Sequence, residues 1–319
     1  EANMAMHDCD LMINIGARFD DRITGRLDGF SPNSKKIHID IDPSSINKNV
    51  FVDISLVGDA GKILKSINKI LLKNKISKKN IDKDYWWRQI KKWRSKNSLS
   101  FKNSKELIKP QHALIMLNKK IKNRDFYITT EVGQHQMWTA QYIDFEKPKK
   151  WMTSGGLGTM GYGFPAAIGV QIAYPKSLVI CVAGEASFLM NLQELSTVKQ
   201  YRLPVKVFIL NNRYLGMVRQ WQEFFHGGRY SESYTDSLPD FVKLAESFGI
   251  KGIRVTDPNK LNNSIDEMIN YKGPVIADIC VDKSENVFPM IPSGAAHNEM
   301  KLSEEDNIAT STKEGKMLV

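Results

Sequence analysis

Residues 179–212 read VICVAGEASFLMNLQELSTVKQYRLPVKVFILNN, and this stretch decides the fold. The apolar run at residues 178–183 predicts a short buried strand that ends at Gly184. A second apolar run, at residues 205–210, predicts another strand, and Leu203-Pro204 is expected to end the helix between them. Strand, helix and strand in this order predict two strands of a parallel α/β sheet.

The helix between the two predicted strands follows the turn Gly184-Glu185-Ala186-Ser187. We expect Ser187 to cap this helix, because a serine hydroxyl accepts hydrogen bonds from the free N–H groups of a first helical turn. The apolar residues that follow predict one amphipathic helix with a buried face; they are Met190, Leu192, Leu195 and Val198.

A carboxylate and a carboxamide follow the two predicted strands. Glu185 comes directly after the first strand, and Asn212 follows the second. Because ligands of open α/β sheets bind at the carboxyl ends of the strands, we expect these side chains to meet there. A helix N-terminus beside them favours anions. Two hard oxygen ligands and an anion-binding helix end suit a Mg²⁺ ion that holds a diphosphate.

The same residues resemble the thiamine-diphosphate motif, in which Gly-Asp-Gly precedes a distant Asn-Asn; residues 187–210 fill the gap here. The flanking text is SGGLGTMGYGFPAAIG before the motif and LNNRYLGMVRQWQ at its end. It is similar to the large catalytic subunits of the acetolactate synthase (acetohydroxyacid synthase) family. The resemblance covers residues 10–294, with a divergent patch at residues 62–109.

The chain departs from the family pattern at two positions of the motif. Glu185 stands where the family usually has Asp, and Ala186 replaces the last Gly. The Ala186 change is one that the family tolerates. Because Mg²⁺ requires near-octahedral geometry, the longer Glu185 side chain is expected to shift or weaken the metal site.

The resemblance implies which residues hold the cofactor. The Mg²⁺ ligands would be Glu185, Asn212 and the carbonyl of Tyr214. The Gly158 carbonyl and the Met190 N–H would bind the pyrimidine ring, while Met160 would support the bent cofactor. The full implied thiamine-diphosphate set is Val132, Gly133, Gln134, His135, Gly158, Met160, Gly184, Ala186, Ser187, Met190, Leu215 and Gly216.

The first part of the chain predicts strands at residues 10–16, 36–42 and 54–57, which suit the second half of a doubly wound nucleotide-binding domain. From composition alone, Asp40 could hold ribose hydroxyls or simply stabilise a turn. The resemblance implies that this domain binds a structural FAD. The implied FAD residues are Gly16, Arg18, Asp20, Asp40, Ile41, Gly58 and Asp59.

The resemblance also implies a reaction and its partners. The family decarboxylates pyruvate and joins the product to a second 2-oxo acid, pyruvate or 2-oxobutanoate. This gives 2-acetolactate or 2-aceto-2-hydroxybutanoate, early in valine, leucine and isoleucine synthesis. Arg22 would face the carboxylate of the acceptor. Met217, Val218 and Trp221 would lie on one helical face that walls the substrate channel. The complete enzyme is expected to be a homodimer, often with a small regulatory subunit.

We therefore predict an α/β protein with two doubly wound parallel-sheet domains. Residues 1–74 would be the C-terminal part of a middle, FAD-binding domain, and residues 75–109 a linker with its own helix. Residues 110–300 would be a complete thiamine-diphosphate- and Mg²⁺-binding domain, and residues 301–319 a tail. In the family, the glutamate that activates the cofactor lies in an N-terminal domain. The chain is expected to be a fragment without it, inactive alone.

Composition indicates the cellular location of the protein and the state of its thiols. The chain has 319 residues, three scattered cysteines and a formal charge of +10, with no run of about 18 apolar residues. These features predict a cytoplasmic protein with free thiols and no membrane partner.

Three alternatives stay open. The first is another thiamine-diphosphate enzyme, such as a glyoxylate carboligase or pyruvate oxidase. The second is an NAD-dependent dehydrogenase that uses Gly156, Gly158 and Gly161. The third is a nucleic-acid-binding module, suggested by the basic charge, although Trp86 and Trp93 at helical spacing favour a packed face instead.

Overall fold

A computed structural model describes residues 1–74 and 83–304. The chain forms two compact units. The first comprises Glu1–Ser100 and the described segment from Phe288 onward, and the second comprises Phe101–Val287. The predicted linker and tail include residues 75–82 and 305–319, which lie outside the described residues. The domain boundaries drawn from the sequence therefore stay a prediction.

The first unit is built on a three-stranded parallel sheet. Its strands are β1 (Leu11–Ile15), β2 (Lys35–Asp40) and β3 (Ile54–Val57). The helices described in it are α1 (Ala2–Asp8), α2 (Asp21–Thr24), α3 (Ala60–Lys73) and α4 (Lys83–Arg94), with 3-10 turns at Leu27–Gly29 and Pro43–Ser45. The strand order is β1-β2-β3, and Ile13, Ile37 and Ile54 are in register across it.

The second unit is built on a six-stranded, fully parallel sheet. Its strands are β4 (Phe126–Thr130), β5 (Trp151–Thr153), β6 (Leu178–Gly184), β7 (Lys206–Asn211), β8 (Lys251–Val255) and β9 (Val275–Cys280). Its helices are α5 (Pro110–Ile121), α6 (Gln134–Tyr142), α7 (Gly163–Ala173), α8 (Glu185–Leu189), α9 (Leu195–Gln200), α10 (Gly216–Phe225), α11 (Phe241–Ser247) and α12 (Pro258–Asn270). The strand order is β5-β4-β6-β7-β9-β8.

The six-stranded sheet is covered by helices on both faces. Alternate residues of β6 enter different hydrophobic clusters, with Ile180 and Val182 in one and Val179 and Cys181 in the other. Helices α5, α6 and α12 contribute to the first cluster, and α7, α9 and α11 contribute to the second. A parallel sheet buried on both faces explains why its strands are continuously apolar in the sequence. The predicted α/β class with parallel sheets is confirmed.

The predicted helix after β6 is wrong in two details. Ser187 lies inside α8 rather than at its cap, because α8 already begins at Glu185 and Gly184 is its N-cap. The helix is also interrupted, since Asn191 has a φ of −135° between α8 and the 3-10 turn Leu192–Glu194. The Asn191 side chain donates to the carbonyl oxygen of Gly161 at 2.8 Å. This bond to a residue outside the helix accompanies the break in the helix at Asn191.

Two smaller expectations concern the thiols and the membrane. All three cysteines are free, with Cys181 buried, and Cys9 and Cys280 half-buried. Within the described ranges, no helix combines the length and the apolar character that a membrane span requires.

Candidate functional site

The central pair of the candidate site lies at the carboxyl ends of β6 and β7. These strands are neighbours, and Gly184 pairs with Leu210 at their ends. Glu185 begins α8 and is only 1% exposed. The backbone N–H groups of Asn212 and Tyr214 interact with its carboxylate. The structure therefore brings Glu185 and the Asn212 segment to the same edge of the sheet.

The environment of the Glu185 carboxylate disfavours its negative charge. Burial raises its pKa to about 7; the N–H groups of Glu185, Asn212 and Tyr214 oppose this shift, and the negative charge of Asp278 adds to it. Its Oε1 atom is buried and has no hydrogen-bond partner among the residues that the structure describes. A buried carboxylate is costly unless it is paired or coordinates a metal. This orphaned oxygen fits a metal ligand.

Hydrogen bonds orient the side-chain amide of Asn212, with its nitrogen towards Gln134 and its oxygen towards Tyr214. Its Nδ2 donates to Oε1 of Gln134 at 3.1 Å, and its Oδ1 accepts from the N–H of Tyr214 at 3.0 Å. Because an amide oxygen has two lone pairs, Oδ1 retains one for a further partner. Asn212 as a whole is 8% exposed.

A cavity of about 260 Å³ opens beside this pair. Its walls come from the segments that follow β4, β6 and β7, together with Met160. The lining residues are Val132, Gly133, Gln134, His135, Trp138, Met160, Gly184, Glu185, Ala186, Ser187, Leu210, Asn212, Tyr214, Leu215, Gly216, Met217 and Val218. Loops at the carboxyl ends of neighbouring parallel strands are the usual ligand position of such sheets.

Two glycines in this cavity have no room for a side chain. A Cβ on Gly216 would lie 2.1 Å from Oε1 of Gln134 and 2.8 Å from Nδ2 of Asn212. A Cβ on Gly133, whose φ is +152°, would lie 2.8 Å from Cε1 of His135. Each glycine leaves bare backbone next to the polar side chains of the cavity, where a ligand can approach closely.

The buried carboxyl group of Glu131 lies next to the buried imidazole of His135, which lines the cavity. Burial raises the pKa of Glu131 to about 8 and lowers that of His135 to about 3. Glu131 Oε2 accepts from the N–H of Gly163 at 3.0 Å. His135 Nε2 lies 3.7 Å from Glu131 Oε1. Because both groups are neutral near pH 7, this close pair is not an ion pair.

The free energy of unfolding is expected to depend on pH through Glu131. Its folded pKa of about 8 lies above the ordinary value of 4.5, so the folded chain binds its proton more tightly. Stability should therefore be full below the lower value and fall as pH rises through the higher one. The loss is about 1.4 kcal/mol per pH unit between them, or roughly 3–5 kcal/mol in all.

The variant Glu131→Gln tests this dependence, because glutamine keeps an acceptor for Gly163 but cannot ionise. Urea unfolding between about pH 5 and about pH 9 should show a much flatter profile for the variant than for the unmodified chain. Glu131 would not be the group concerned if the two profiles fall in parallel.

Two segments of the chain match domain models of known enzymes. Residues 131–279 match the family model of the C-terminal TPP binding domain of thiamine pyrophosphate enzymes. Residues 1–67 match the model of the central domain of thiamine pyrophosphate enzymes. The chain belongs to the thiamine pyrophosphate enzyme family. The first match contains all the cavity residues from Val132 to Val218.

Individual relatives are acetolactate synthase large subunits. The chain is 47% identical over 304 residues to the large subunit from Haemophilus influenzae. It is 47% identical over 306 residues to the large subunit of isozyme 3 from Escherichia coli. It is 48% identical over 309 residues to the large subunit from Buchnera aphidicola of Acyrthosiphon pisum. These alignments cover 95–96% of this chain and 53% of each relative. The chain thus spans about half the length of the curated relatives that it matches.

Most residues predicted for the thiamine pyrophosphate site line the cavity, but two of them, and the predicted channel residue Trp221, do not. Gly158, with a φ of +81°, and Met190, which is 52% exposed, are not among the lining residues. Trp221 lines an adjoining cavity that shares Met217 and Val218 with the first one. The roles of these three residues, like those of the residues that line the cavity, stay predictions.

Two lining residues, Trp138 and Leu210, were absent from the prediction, and a third, Val218, was predicted only as part of the channel wall. Trp138 lies one helical turn after Gln134, so the spacing on α6 was a usable signal. Leu210 is the last predicted residue of β7, where an apolar side chain is indistinguishable from the core in the sequence. Val218 lies beside Met217 at the start of α10.

In the first unit, the residues predicted to bind FAD or substrate form hydrogen bonds and ion pairs with their neighbours. Arg18 and Asp20 form an ion pair at 3.0 Å and line a cavity of about 820 Å³. Asp20 also accepts from the N–H of Arg22, which is exposed at the start of α2.

The remaining predicted FAD residues lie in turns after β1, β2 and β3. Gly16 has a φ of +66° and Gly58 one of +150°. Asp40 accepts from the N–H of Asp42, and Asp59 caps α3. Ile41 is 72% exposed. These contacts account for the turns, and an FAD role for this set stays a prediction.

Among the described residues, no group of three or more His, Cys, Asp and Glu side chains is placed to hold a metal. The predicted Mg²⁺ set contains only one such residue, because Asn212 and the Tyr214 carbonyl supply neutral oxygens. Mg²⁺ commonly takes few protein carboxylates and completes its coordination with phosphate and water. The donor set at this cavity is therefore compatible with Mg²⁺ together with a diphosphate.

Proposed function

We propose that this chain provides the diphosphate- and metal-binding half of an acetolactate synthase active site. The complete enzyme would decarboxylate pyruvate and transfer the product to a second 2-oxo acid. Pyruvate as acceptor gives 2-acetolactate, and 2-oxobutanoate gives 2-aceto-2-hydroxybutanoate, both early in branched-chain amino acid synthesis. The observation that carries this proposal is the orphaned Glu185 oxygen beside Asn212 in the cavity, within a chain similar to acetolactate synthases over 95% of its length.

The proposed metal ligands are the Glu185 carboxylate, Asn212 Oδ1 and the Tyr214 carbonyl. One anionic and two neutral oxygens suit a Mg²⁺ ion whose remaining ligands are diphosphate oxygens and water. The cation would compensate the buried negative charge of Glu185, and Glu185 would hold the cation against the diphosphate. The longer side chain at this position stays a reason to expect altered metal affinity.

The rest of the cavity would bind the cofactor without adding charge. His135 is neutral near pH 7, because burial lowers its pKa to about 3. Gly133 and Gly216 allow backbone N–H groups to approach the diphosphate closely. Met160 and Met217 supply apolar surface for the rings. When bound, thiamine diphosphate supplies the stabilised carbanion on which decarboxylation and carbon–carbon bond formation depend.

Further features of the complete enzyme are also proposed. The first unit would bind FAD through the cavity at Arg18 and Asp20. In the complete enzyme, Arg22 would hold the carboxylate of the second 2-oxo acid, because a guanidinium can bind a carboxylate through two hydrogen bonds. Within the second unit, Trp221 would wall the substrate channel. A homodimer, a small regulatory subunit and a cytoplasmic location are part of the same proposal.

Calorimetric titration of the chain with thiamine diphosphate tests the cofactor assignment. We expect binding in the presence of Mg²⁺ and none in the presence of a chelator. NADH is a suitable comparison ligand, because the glycine-rich segment 154–163 resembles a dinucleotide fingerprint. NADH binding without Mg²⁺-dependent thiamine diphosphate binding would contradict the proposal.

A further inference from the structure

A chain of buried side-chain amides runs from the proposed metal ligand Asn212 into the interior of the second unit. Asn212 Nδ2 donates to Gln134 Oε1 at 3.1 Å, and Gln134 Nε2 donates to Gln220 Oε1 at 2.9 Å. Gln220 then makes two hydrogen bonds to the backbone of Val287. Gln134 is 3% exposed and Gln220 is fully buried.

Backbone groups along this chain of amides restrict the direction of each amide: those of Val287 act on Gln220, the carbonyl of Glu285 acts on Gln134, and the N–H of Tyr214 acts on Asn212. The N–H of Val287 donates to Gln220 Oε1 at 2.8 Å, and Gln220 Nε2 donates to the carbonyl of Val287 at 3.0 Å. Because a backbone N–H only donates and a carbonyl only accepts, the Gln220 amide has one permitted orientation. Its oxygen therefore faces Gln134.

Hydrogen-bond partners also restrict the orientations of Gln134 and Asn212. Gln134 Nε2 faces two acceptors, Gln220 Oε1 and the carbonyl of Glu285 at 3.1 Å, so only the NH₂ end can lie there. Gln134 Oε1 must then face Asn212 and accept from its Nδ2. This leaves Asn212 Oδ1, the only atom of the amide able to bind a cation, on the side of Tyr214.

We infer that Gln220 is a positioning residue, which acts through Gln134 and together with the N–H of Tyr214 to keep the Asn212 oxygen directed at the metal position. This inference rests on the proposed function. A reversed Asn212 amide would present NH₂ to the cation and repel it. Residues that orient metal ligands from one shell away typically change metal affinity by about 10–100-fold when they are replaced.

The variants Gln220→Met and Gln220→Glu separate this role from simple packing. Methionine fills a similar volume but offers no strong acceptor to Gln134 or Val287. Glutamate keeps an oxygen for both donors and therefore keeps the direction of the Gln134 amide. An orienting role predicts that the methionine variant loses metal affinity and the glutamate variant retains most of it. A packing role predicts the opposite order, because an ionisable carboxyl is the poorer core residue.

Calorimetry of Mg²⁺ binding at saturating thiamine diphosphate is the main measurement. We expect about 10–100-fold weaker Mg²⁺ binding for Gln220→Met and less than about 3-fold for Gln220→Glu. In an Asn212→Ala background, Gln220→Met should have no further effect, because the two residues act through one path. Equal affinities, or weaker binding by the glutamate variant, would overturn the inference.

Gln171 provides a matched control. It is 1% exposed, and its Nε2 donates to two backbone carbonyls, those of Tyr174 and Ser177, after α7. It does not line the cavity. Gln171→Met should therefore disturb a buried amide without changing the affinity for Mg²⁺. A comparable loss in this control would also overturn the inference, since it would show a general effect on the fold.

A measurement without metal separates failure of the inference from failure of the proposed function. Hydrogen exchange of the Asn212 side-chain NH₂, followed by NMR of the metal-free chain, should be slow in the unmodified chain and in Gln220→Glu. It should be fast in Gln220→Met. Unchanged exchange in Gln220→Met overturns the inference whether or not Mg²⁺ binds. Slow exchange in the unmodified chain without any Mg²⁺ binding overturns the proposed function instead.

Discussion

Replacing Glu185 with glutamine is expected to abolish Mg²⁺-dependent binding of thiamine diphosphate while stabilising the metal-free chain. Loss of the only proposed anionic ligand should weaken binding by more than about 100-fold, beyond the range typical of outer-shell residues. The same change removes a buried carboxylate with an unpartnered oxygen. The free energy of unfolding without metal should therefore rise by about 1–3 kcal/mol. Calorimetry and urea unfolding measure the two effects on one sample.

Two further variants make the Glu185→Gln result specific. Glu194→Gln is the same substitution a few residues later, at a position that does not line the cavity, and it should leave cofactor binding unchanged. Glu185→Asp keeps a carboxylate and restores the residue that is usual in the family, so binding should persist. Comparing its Mg²⁺ affinity with that of the unmodified chain shows what the extra methylene costs. Thiamine diphosphate binding that is equally tight in Glu185→Gln would contradict the metal assignment.

Gly216→Ala is expected to damage both stability and cofactor binding, although alanine is normally the better helix residue. The new Cβ would lie 2.1 Å from Gln134 Oε1 and 2.8 Å from Asn212 Nδ2, two atoms that hydrogen-bond to each other. Relieving these overlaps requires the bond between Gln134 and Asn212 to break. Overpacking of this kind costs about 1–3 kcal/mol. Mg²⁺-dependent thiamine diphosphate binding should fall at least tenfold, an effect of about 1.4 kcal/mol.

Gly169→Ala is the matched control for this substitution. Gly169 lies within helix α7, and apart from the adjacent backbone of that helix no atom of the described residues lies within 4 Å of the position that its Cβ would occupy. Alanine there should raise the free energy of unfolding by about 0.5–1 kcal/mol through helix propensity alone. The two glycine substitutions should therefore shift the thermal midpoint in opposite directions. Similar shifts for both would show that Gly216 is not tightly enclosed.

The sequence was sufficient to predict the elements around the candidate site. Residues 178–183 are continuously apolar, and residues 205–210 are apolar except for Lys206, because both faces of the sheet are buried. The two runs were therefore recognisable as β6 and β7. The placement of Glu185 near Asn212 followed from the parallel order of these strands. The interruption of the helix after α8 did not follow from the sequence pattern. It depends on the bond from Asn191 to the distant Gly161.

Residues that act through distant partners were not predictable from the sequence. Gln220 sits between Met217 and Trp221 on α10, and nothing in its local sequence indicates a hydrogen bond to Val287. Asp278 reads as a lone polar residue in an apolar strand. In the fold it accepts from Asn211 Nδ2 at 2.9 Å and pairs with Arg254 at 3.1 Å. Both networks depend on strand and helix neighbours that periodicity does not specify.

The most direct test is a crystal structure of the chain grown with thiamine diphosphate and Mn²⁺ in place of Mg²⁺, because Mn²⁺ can be located by its anomalous scattering. We predict a single strong peak within about 2.0–2.3 Å of a Glu185 carboxylate oxygen, Asn212 Oδ1 and the Tyr214 carbonyl, with diphosphate oxygens completing the coordination. A bound cofactor whose metal lies away from Glu185 and Asn212 would contradict the account.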